Sequence, residues 1–376
     1  MVLESILLSV VDQELKVEIG LDSGKGSCKV FMSIEENNKN ILGTGEMSPP
    51  PKKSKKEGKW KNKHKDRGVK KLFVIGLVRN ISETYGNFKI LLNLPGIQLF
   101  SFIFDMKATR ISLGMQGCSA TYSCSYCYGK APFDEPAELR TFKSINEDHE
   151  AFKALVELYG PEEAYKHAKK CKNQIHKSLI EGDFEDQKLL FKILIDELHI
   201  FLGIGNKTFD SLYIAMVKDI DNDIFHASVY VWANKESIVG LNYRGGQLDS
   251  PNLNRLLHRL DSLEKFVDPK FHNYIYCMRE FHAVQNACFG MNLAPDWEEK
   301  IEVFKIAYKA LGISITPKVH TLFYEIPIFI KKTGKALGHF SAHHFEAGHF
   351  DFEGTLQLFK RKESSPEHGE SPLEIQ

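Results

Sequence analysis

The 376-residue sequence lacks any apolar run as long as a membrane span, and Met1 opens into an alternating segment without the pattern of a signal peptide. It has only seven cysteines, an odd number at irregular spacings, which excludes the disulfide framework of a small secreted protein. It also lacks net charge, because 49 Lys and Arg balance 49 Asp and Glu, so any affinity for nucleic acid must come from local patches. These absences, with 43% hydrophobic residues, predict a soluble intracellular protein of one large or two ordinary domains.

The first third of the chain has the alternating pattern of strands, and the remainder has the spacing of helices. The predicted strands are ELKVEIGLD, SCKVFMSIE, KKLFVIGLV and FSFIFDM. The predicted helical stretches are INEDHEAFKALVELYG, DQKLLFKILIDELHIFLGIG, LNRLLHRLDSLEKFVDPKFHNYIYCMREFHAVQNACFG and DWEEKIEVFKIAYKALG. Asp296 is a plausible start and Gly312 a plausible end of the last helix. Strands followed by a run of helices predict a sheet domain with a helical block attached or inserted.

A Lys-rich segment separates the second and third predicted strands. Residues 52–71 contain eleven Lys and Arg in twenty positions, with Trp60 and His64 among them. A charge run of this kind is typical of a solvated loop, and it also favours binding to the phosphates of nucleic acid or recognition by the nuclear import machinery.

The stretch GLDSGKGSCKV, residues 20–30, has four interpretations: a P-loop, a phosphate hairpin, an Asx turn and a metal-holding strand tip. It fails as a P-loop, because Gly20 stands one place too close and Lys25 is followed by Gly26. It fits the phosphate hairpin of actin-like ATPases, but NYRGGQLDS in mid-chain lacks the acid that a second such hairpin needs. The remaining interpretations are an Asx turn and a metal-holding acid, Asp22, at the tip of a strand.

Other chemically active residues follow along the chain. Asp105 ends a predicted strand, where it also suits a helix N-cap, and Cys124 and Cys127 have the spacing of two zinc ligands. His320 lies far downstream, and Glu346 follows in a His-rich stretch. His339, His343, His344 and His349 in that stretch suit either an adventitious metal site or a supporting role, whereas His199 is interpreted as a core histidine.

These residues resemble the motifs of the Transib transposases and the catalytic subunit of the V(D)J recombinase. In that family an Asp-Asp-Glu triad is accompanied by a Cys-x-x-Cys pair after the second Asp and a His-x4-His pair before the Glu. The segment DELHIFLGIGN also resembles a Leu-His-x-x-Ile-Gly-Asn segment of the recombinase. The positions that match are Asp22, Asp105 and Glu346 for the triad, Cys124, Cys127 and His320 for the zinc ligands, and Glu325 where the second His would stand.

The resemblance implies an α/β fold, a ribonuclease-H-like mixed sheet core interrupted by a large all-helical insertion. The implied divisions are 12–125 for the first part of the core, 126–334 for the insertion with zinc-binding elements at its base, 335–360 for the last core helix with the third acid, and 361–376 for a flexible tail.

The implied chemistry is DNA strand cleavage and transfer by two metal ions. Mg²⁺ or Mn²⁺ would be held by Asp22, Asp105 and Glu346, while a structural Zn²⁺ would be held by Cys124 and Cys127 with their partners. DNA is the implied partner, the active form a homodimer, and the location the nucleus, with no membrane. Because Glu325 replaces a His, SAHH replaces the usual acidic segment, and only about twenty residues precede Asp22, the alternative is a shortened, domesticated and inactive protein that binds DNA or another protein.

Overall fold

The computed structural model describes residues 16–24, 27–35, 70–79, 84–93, 97–219, 229, 231–238 and 248–340. These residues form an α/β structure with one five-stranded sheet in the order β3-β2-β1-β4-β5. The strands are β1 Lys16–Gly24, β2 Ser27–Glu35, β3 Lys70–Arg79, β4 Ser101–Phe104 and β5 Ile193–Leu194.

The sheet is mixed. β1, β2 and β3 pair antiparallel, with Gly24 opposite Ser27 at the hairpin between the first two and a register shift between Val30 and Phe31. β4 lies parallel to β1 on its other side, and β5 lies parallel to β4. The four predicted strands, three from alternation and FSFIFDM from its apolar run, are confirmed. Because β1, β4 and β5 are parallel, their carboxyl ends lie at the same edge of the sheet.

The fifth strand lies inside the segment predicted to be helical. Residues 186–205 were expected to form one helix, but they contain a 3₁₀ turn at Leu189–Phe191, then β5, and α-helix only from Glu197. Ile193 is completely buried, and a short strand buried on both faces has a continuous apolar run that periodicity does not separate from a helix. The sheet therefore extends beyond the predicted boundary at residue 125, and the segment 126–334 is not all helical.

The helices surround this sheet and form a block beyond it. Their bounds are α1 Tyr85–Leu91, α2 Met106–Ser112, α3 Phe142–Tyr159, α4 Pro161–His167, α5 Glu197–Asp219, α6 Ser250–Leu257, α7 Leu260–Glu264, α8 His272–Val284, α9 Trp297–Ala310, α10 Pro317–His320 and α11 Ile326–Thr333. Two π-helical turns extend them, Gln285–Phe289 after α8 and Thr321–Glu325 between α10 and α11. Further 3₁₀ turns lie at Ile97–Leu99, Ala168–Cys171, Pro269–Phe271 and Leu337–Phe340.

Helix ends follow local sequence signals. α3 begins after a capping box of Thr141 and Ser144 and ends at Gly160, which has a positive φ. α9 begins directly after Asp296 and is followed by Gly312 with φ 65°, as predicted, although the Asp296 side chain makes no capping hydrogen bond. The long stretch predicted between 253 and 290 is divided into α6, α7, a 3₁₀ turn, α8 and a π turn.

One large apolar core joins the sheet to the helical block. It runs from Phe102 and Phe104 of β4 through Phe281 of α8 to Phe304 of α9, all essentially inaccessible to solvent. This continuity fixes the helical block against the strand ends. No helix in the described ranges combines the length and apolar character needed to cross a bilayer.

Several predicted features lie outside the described residues. These are most of the Lys-rich segment, of which only Lys70 and Lys71 appear, in β3, and everything from residue 341, including Glu346 and the predicted tail 361–376.

Candidate metal centre and the carboxyl edge of the sheet

Four residues from distant parts of the chain meet in one buried cluster, here called the metal centre. They are Cys124, Cys127, His320 and Glu325, and their ligand atoms all lie within 4.8 Å of one another. Each is at most 1% exposed. These are the four residues that the sequence predicts as zinc ligands, so the structure confirms that they come together and that they could hold a metal ion.

The two cysteines are held by the loop after α2. The amide of Gly129 donates a hydrogen bond to Cys127 Sγ at 3.2 Å, as amides near metal-bound thiolates do. A Cβ on Gly129 would lie 2.8 Å from His320 Nε2 and 3.1 Å from Cys127 Sγ. Residue 129 therefore has to be glycine for the loop to approach the histidine this closely.

His320 and Glu325 are brought together by a π-helical turn. Five residues along an α-helix place two side chains about 140° apart around the axis, so they face different directions. Here residues Thr321–Glu325 form a π turn, in which the amide of Ile326 donates to the carbonyl of Thr321. The turn brings His320 Nε2 within 3.2 Å of Glu325 Oε1, which explains how a spacing of five serves one site.

The orientation of the His320 ring is fixed by its other nitrogen. Nδ1 lies 3.1 Å from the carbonyl oxygen of Phe133, so Nδ1 carries the proton that it donates there. This leaves the lone pair of Nε2 directed at Cys127 Sγ, 3.2 Å away. A metal-binding histidine is usually held in this way by a backbone carbonyl.

Without an ion, the polar atoms of the metal centre are incompletely satisfied. Glu325 Oε2 is buried and makes no hydrogen bond to any described residue, and such an atom costs about 1–3 kcal/mol. The hydrogen bond with Cys124, together with burial, raises the pKa of Cys127. Burial alone would lower the pKa of His320, but the hydrogen bond and charge of Glu325 raise it. A divalent cation would relieve both the orphan oxygen and the crowding of negative groups.

Two buried arginines lie beside the cysteines. Arg140 donates through Nε to the carbonyl of Cys127 at 3.0 Å and lies 4.4 Å from the ring centre of Tyr128. Arg110 donates to the carbonyls of Ser123 and Gln116. Two thiolates and a carboxylate bring three negative charges to a divalent ion, so the loaded metal centre would carry a net negative charge that these guanidinium groups offset.

The donor set fits zinc better than a harder ion. Two thiolates and an imidazole are ligands of Zn²⁺, whereas Mg²⁺ prefers oxygen ligands and retains waters. Four inaccessible protein ligands also leave no position for a substrate, which is the character of a structural site. The metal centre is therefore compatible with a structural zinc.

A second group of acids lies just beyond the last paired residues of the parallel strands, at what is here called the carboxyl edge. Leu21 of β1 pairs with Phe104 of β4, so Asp22 and Asp105 each follow a paired residue by one position. Neighbouring strands lie about 4.8 Å apart, so the backbones of these two predicted acids are adjacent. Asp105 also caps α2, since its Oδ1 accepts from the amide of Ala108 at 2.6 Å. The N-cap and the strand-end positions thus coincide in Asp105.

A third acid, Asp196, occupies the equivalent position on β5. Ile103 pairs with Leu194, so Asp105 and Asp196 each lie two residues beyond a paired residue. Sequence reasoning gave Asp196 no role, although KILID repeats the pattern of GLD and FIFD, in which an apolar strand ends in Asp. The missed signal is therefore a strand-end acid hidden in a stretch assigned to a helix.

Two basic groups accompany Asp196. His199 was interpreted as a core histidine, but its ring is partly exposed and Nδ1 lies 2.5 Å from Asp196 Oδ2. Lys318 lies nearby on α10, where burial lowers its pKa while the negative charges of Asp196 and Asp105 act in the opposite direction. The carboxyl edge is therefore a mixed charged cluster rather than a row of acids alone.

The third predicted catalytic acid, Glu346, lies outside the described residues, as do His343, His344 and His349. His339 lies in the last 3₁₀ turn. The structure therefore brings together two of the three predicted acids at the level of the backbone.

Comparison of the sequence with models of known protein families gives no match, and comparison with curated proteins gives none at a significant level. The assignment of a role therefore depends on the geometry of the metal centre and the carboxyl edge.

Proposed function

We propose that this chain is a transposon-derived DDE-type transposase or recombinase that cleaves and transfers DNA strands with two metal ions. The observation that supports the proposal is the register of the parallel strands: Leu21 pairs with Phe104, so the backbone of Asp22 in β1 is next to that of Asp105, which directly follows β4. Ligands of open α/β sheets bind outside the carboxyl ends of the strands, so this edge is the expected place for a reaction.

Three further features support the proposal. The sheet has three antiparallel strands followed by two parallel ones, in the order 3-2-1-4-5, which is the arrangement expected of a ribonuclease-H-like core. The metal centre unites the residues that match the family's zinc ligands. The helical block between β5 and residue 340 corresponds to the expected insertion.

The carboxylates have the chemistry that Mg²⁺ or Mn²⁺ requires. Asp22, Asp105 and Glu346 would hold the ions, with hard oxygen ligands and no thiolate. Asp105 uses Oδ1 for the helix cap, and its carboxylate has a second oxygen for a cation. When bound, such ions activate the attacking oxygen and stabilise the leaving oxygen of an in-line phosphoryl displacement. In this proposal the metal centre holds α10 and the π turn in place, and the active form is a homodimer in the nucleus.

The test is a plasmid-nicking assay with the purified full chain in Mn²⁺ and in Mg²⁺. Asp105→Asn is the informative variant, because Asn also caps helices well and so preserves α2. Asp249→Asn is the matched control, since Asp249 caps a different helix, α6, through the amide of Asn252 at 3.0 Å and has no proposed role in metal binding. Nicking by the wild type and by Asp249→Asn, with loss in Asp105→Asn, Asp22→Asn and Glu346→Gln, supports the proposal.

Absence of nicking from a folded, zinc-loaded protein in both metals contradicts the enzymatic role. In that case the alternative, a domesticated protein that binds DNA or another protein without cleaving it, becomes the better account. Equal nicking by the wild type and Asp105→Asn would point to a contaminating nuclease and also overturn the proposal.

A further inference from the structure

Lys318 is a half-buried cation on α10, beside two acids of the carboxyl edge. Its ammonium makes no hydrogen bond or ion pair with any residue in the described ranges, although Asp196 and Asp105 are close enough for their charges to act on it. An ammonium has three N–H donors, and in the described ranges those of Lys318 are not used by the protein. They can therefore donate to an anionic ligand at the carboxyl edge.

The chain holds Lys318 in this place by a specific packing arrangement. The aliphatic part of its side chain crosses α5 at Gly203, where an added Cβ would lie 2.3 Å from Lys318 Cδ and 2.9 Å from Nζ. Glycine inside a helix costs about 1 kcal/mol relative to alanine, so its presence in α5 needs a local reason. The close passage of the lysine over the helix supplies that reason.

The direction of Lys318 follows from its position on α10. Lys318 and His320 are two residues apart, which is about 200° around a helix, so they leave it on opposite sides. His320 reaches the metal centre. Lys318 consequently reaches the other side, where Asp105 and Asp196 end their strands.

We propose that Lys318 is a positioning residue that binds a phosphate group at the carboxyl edge, and that this phosphate belongs to the backbone of DNA. The inference rests on the proposed function, since Asp105, one of the two acids beside Lys318, is among those that would hold the catalytic ions. A cation among carboxylates is suited to a phosphate, because the acids and their metal ions hold one side of the group and the ammonium holds a non-bridging oxygen. Because Lys318 is partly buried, its electrostatic attraction to a phosphate is stronger than that of a lysine on the open surface.

The experiment measures DNA binding rather than cleavage, so that it remains decisive if the protein does not nick. Fluorescence anisotropy of a short labelled duplex is followed in Ca²⁺ for the wild type, Lys318→Met and Lys318→Arg. Methionine keeps an unbranched chain across Gly203 and removes the charge, whereas arginine retains it. Lys332→Met is the matched control, because Lys332 is an exposed lysine on neighbouring α11.

The proposal expects Lys318→Met to bind DNA about tenfold more weakly, as expected for one charged hydrogen bond. The slope of log K against log salt should fall by about 0.9, the value for one lost phosphate contact. Lys318→Arg should stay within about threefold of the wild type, and Lys332→Met should show no change beyond that of an exposed charge. Circular dichroism and bound zinc verify that each variant is folded.

Several results would overturn the inference. If Lys318→Met binds DNA with unchanged affinity and salt slope, Lys318 does not contact a phosphate. This conclusion would hold even if the nicking assay establishes the proposed function. A lower affinity with an unchanged salt slope makes the role of Lys318 one of packing. If the wild type binds no DNA but inorganic phosphate raises its Tm and not that of Lys318→Met, the ligand is free phosphate and the assignment to DNA is wrong.

Discussion

The metal centre and the carboxyl edge lie on opposite sides of the short helix α10, and they differ in almost every physical property. In the metal centre the side chains of all four residues are inaccessible, and they come from loops and a π turn far apart in sequence. At the carboxyl edge Asp105 and Asp196 follow the ends of their strands, Asp22 follows the last residue of β1 that pairs with β4, and Asp105 is partly open to solvent. Closed sites with a full set of protein ligands stabilise structure, whereas open sites with spare coordination act on substrates.

The largest effect on stability is expected from removing a ligand of the metal centre. We expect Cys127→Ser to abolish stoichiometric zinc binding and to lower the free energy of unfolding by at least about 3 kcal/mol, because metal binding is coupled to folding. The measurements are zinc content and urea denaturation. Cys277→Ser is the control, since Cys277 is an equally buried thiol outside the metal centre. If both variants keep zinc and lose the same stability, the four residues do not form a metal site.

A smaller effect is expected when the approach of the loop is disturbed without removing a ligand. Gly129→Ala places a Cβ 2.8 Å from His320 Nε2, so the loop or the ring has to move. We expect a loss of about 2 kcal/mol in unfolding free energy and weaker zinc retention during dialysis against a chelator. Gly117→Ala in the same loop meets no atom within 4 Å and should retain zinc like the wild type. Equal retention by the two alanine variants would contradict the assigned geometry.

The Glu325→His substitution is expected to strengthen zinc binding at the metal centre rather than weaken it. Two thiolates and two imidazoles form a neutral complex with zinc, so this variant removes the buried net charge. We expect zinc affinity to rise by about tenfold, equivalent to about 1.4 kcal/mol, in competition titrations with a chromophoric chelator. A tighter site with unchanged DNA binding would separate the two regions, whereas weaker zinc binding would mean that the cavity is shaped for a carboxylate.

The smallest change in stability is expected at the carboxyl edge. Gly203→Ala adds a helix-favouring residue but displaces the flexible end of Lys318, so the unfolding free energy should change by less than about 1 kcal/mol. DNA affinity should nevertheless fall by about threefold or more, measured by anisotropy. Gly86→Ala in α1, where the added Cβ meets nothing within 4 Å, controls for the helix effect. Unchanged affinity in Gly203→Ala would show that the position of Lys318 is not critical.

The two regions also differ in how far the sequence predicts them. The Cys-x-x-Cys spacing indicates two of the zinc ligands, whereas His320 and Glu325 were expected only from the family resemblance. The π turn that brings these two residues together could not be predicted. The roles of Arg140 and of the Phe133 carbonyl could not be predicted either, because they arise from contacts between residues far apart in the sequence. The sequence spacing therefore indicates candidate ligands, whereas the groups that orient those ligands are known only from the packed structure.

At the carboxyl edge the sequence predicts most of the strands, but not the charged residues that surround the strand ends. β1, β2 and β3 follow from alternation and β4 from its apolar run. Asp105 follows from its place after a strand, whereas Asp22, predicted at the tip of a strand, lies inside β1 opposite Lys29. β5 was missed because two paired residues in a continuous apolar run give no period, and with it Asp196 and the exposure of His199 were missed. Lys318 has no local signal, since its environment exists only after α10 packs on α5.

The geometry of α10 has a practical consequence for anyone who handles the protein. His320 and Lys318 share one turn of helix, so an ion that holds the first also sets where the second rests. If the proposed function holds, only the molecules that carry zinc would have Lys318 placed to bind DNA. Binding constants and specific activities should therefore be expressed per mole of bound zinc, since a partly stripped sample would behave as a mixture of two populations rather than as a uniformly weaker protein.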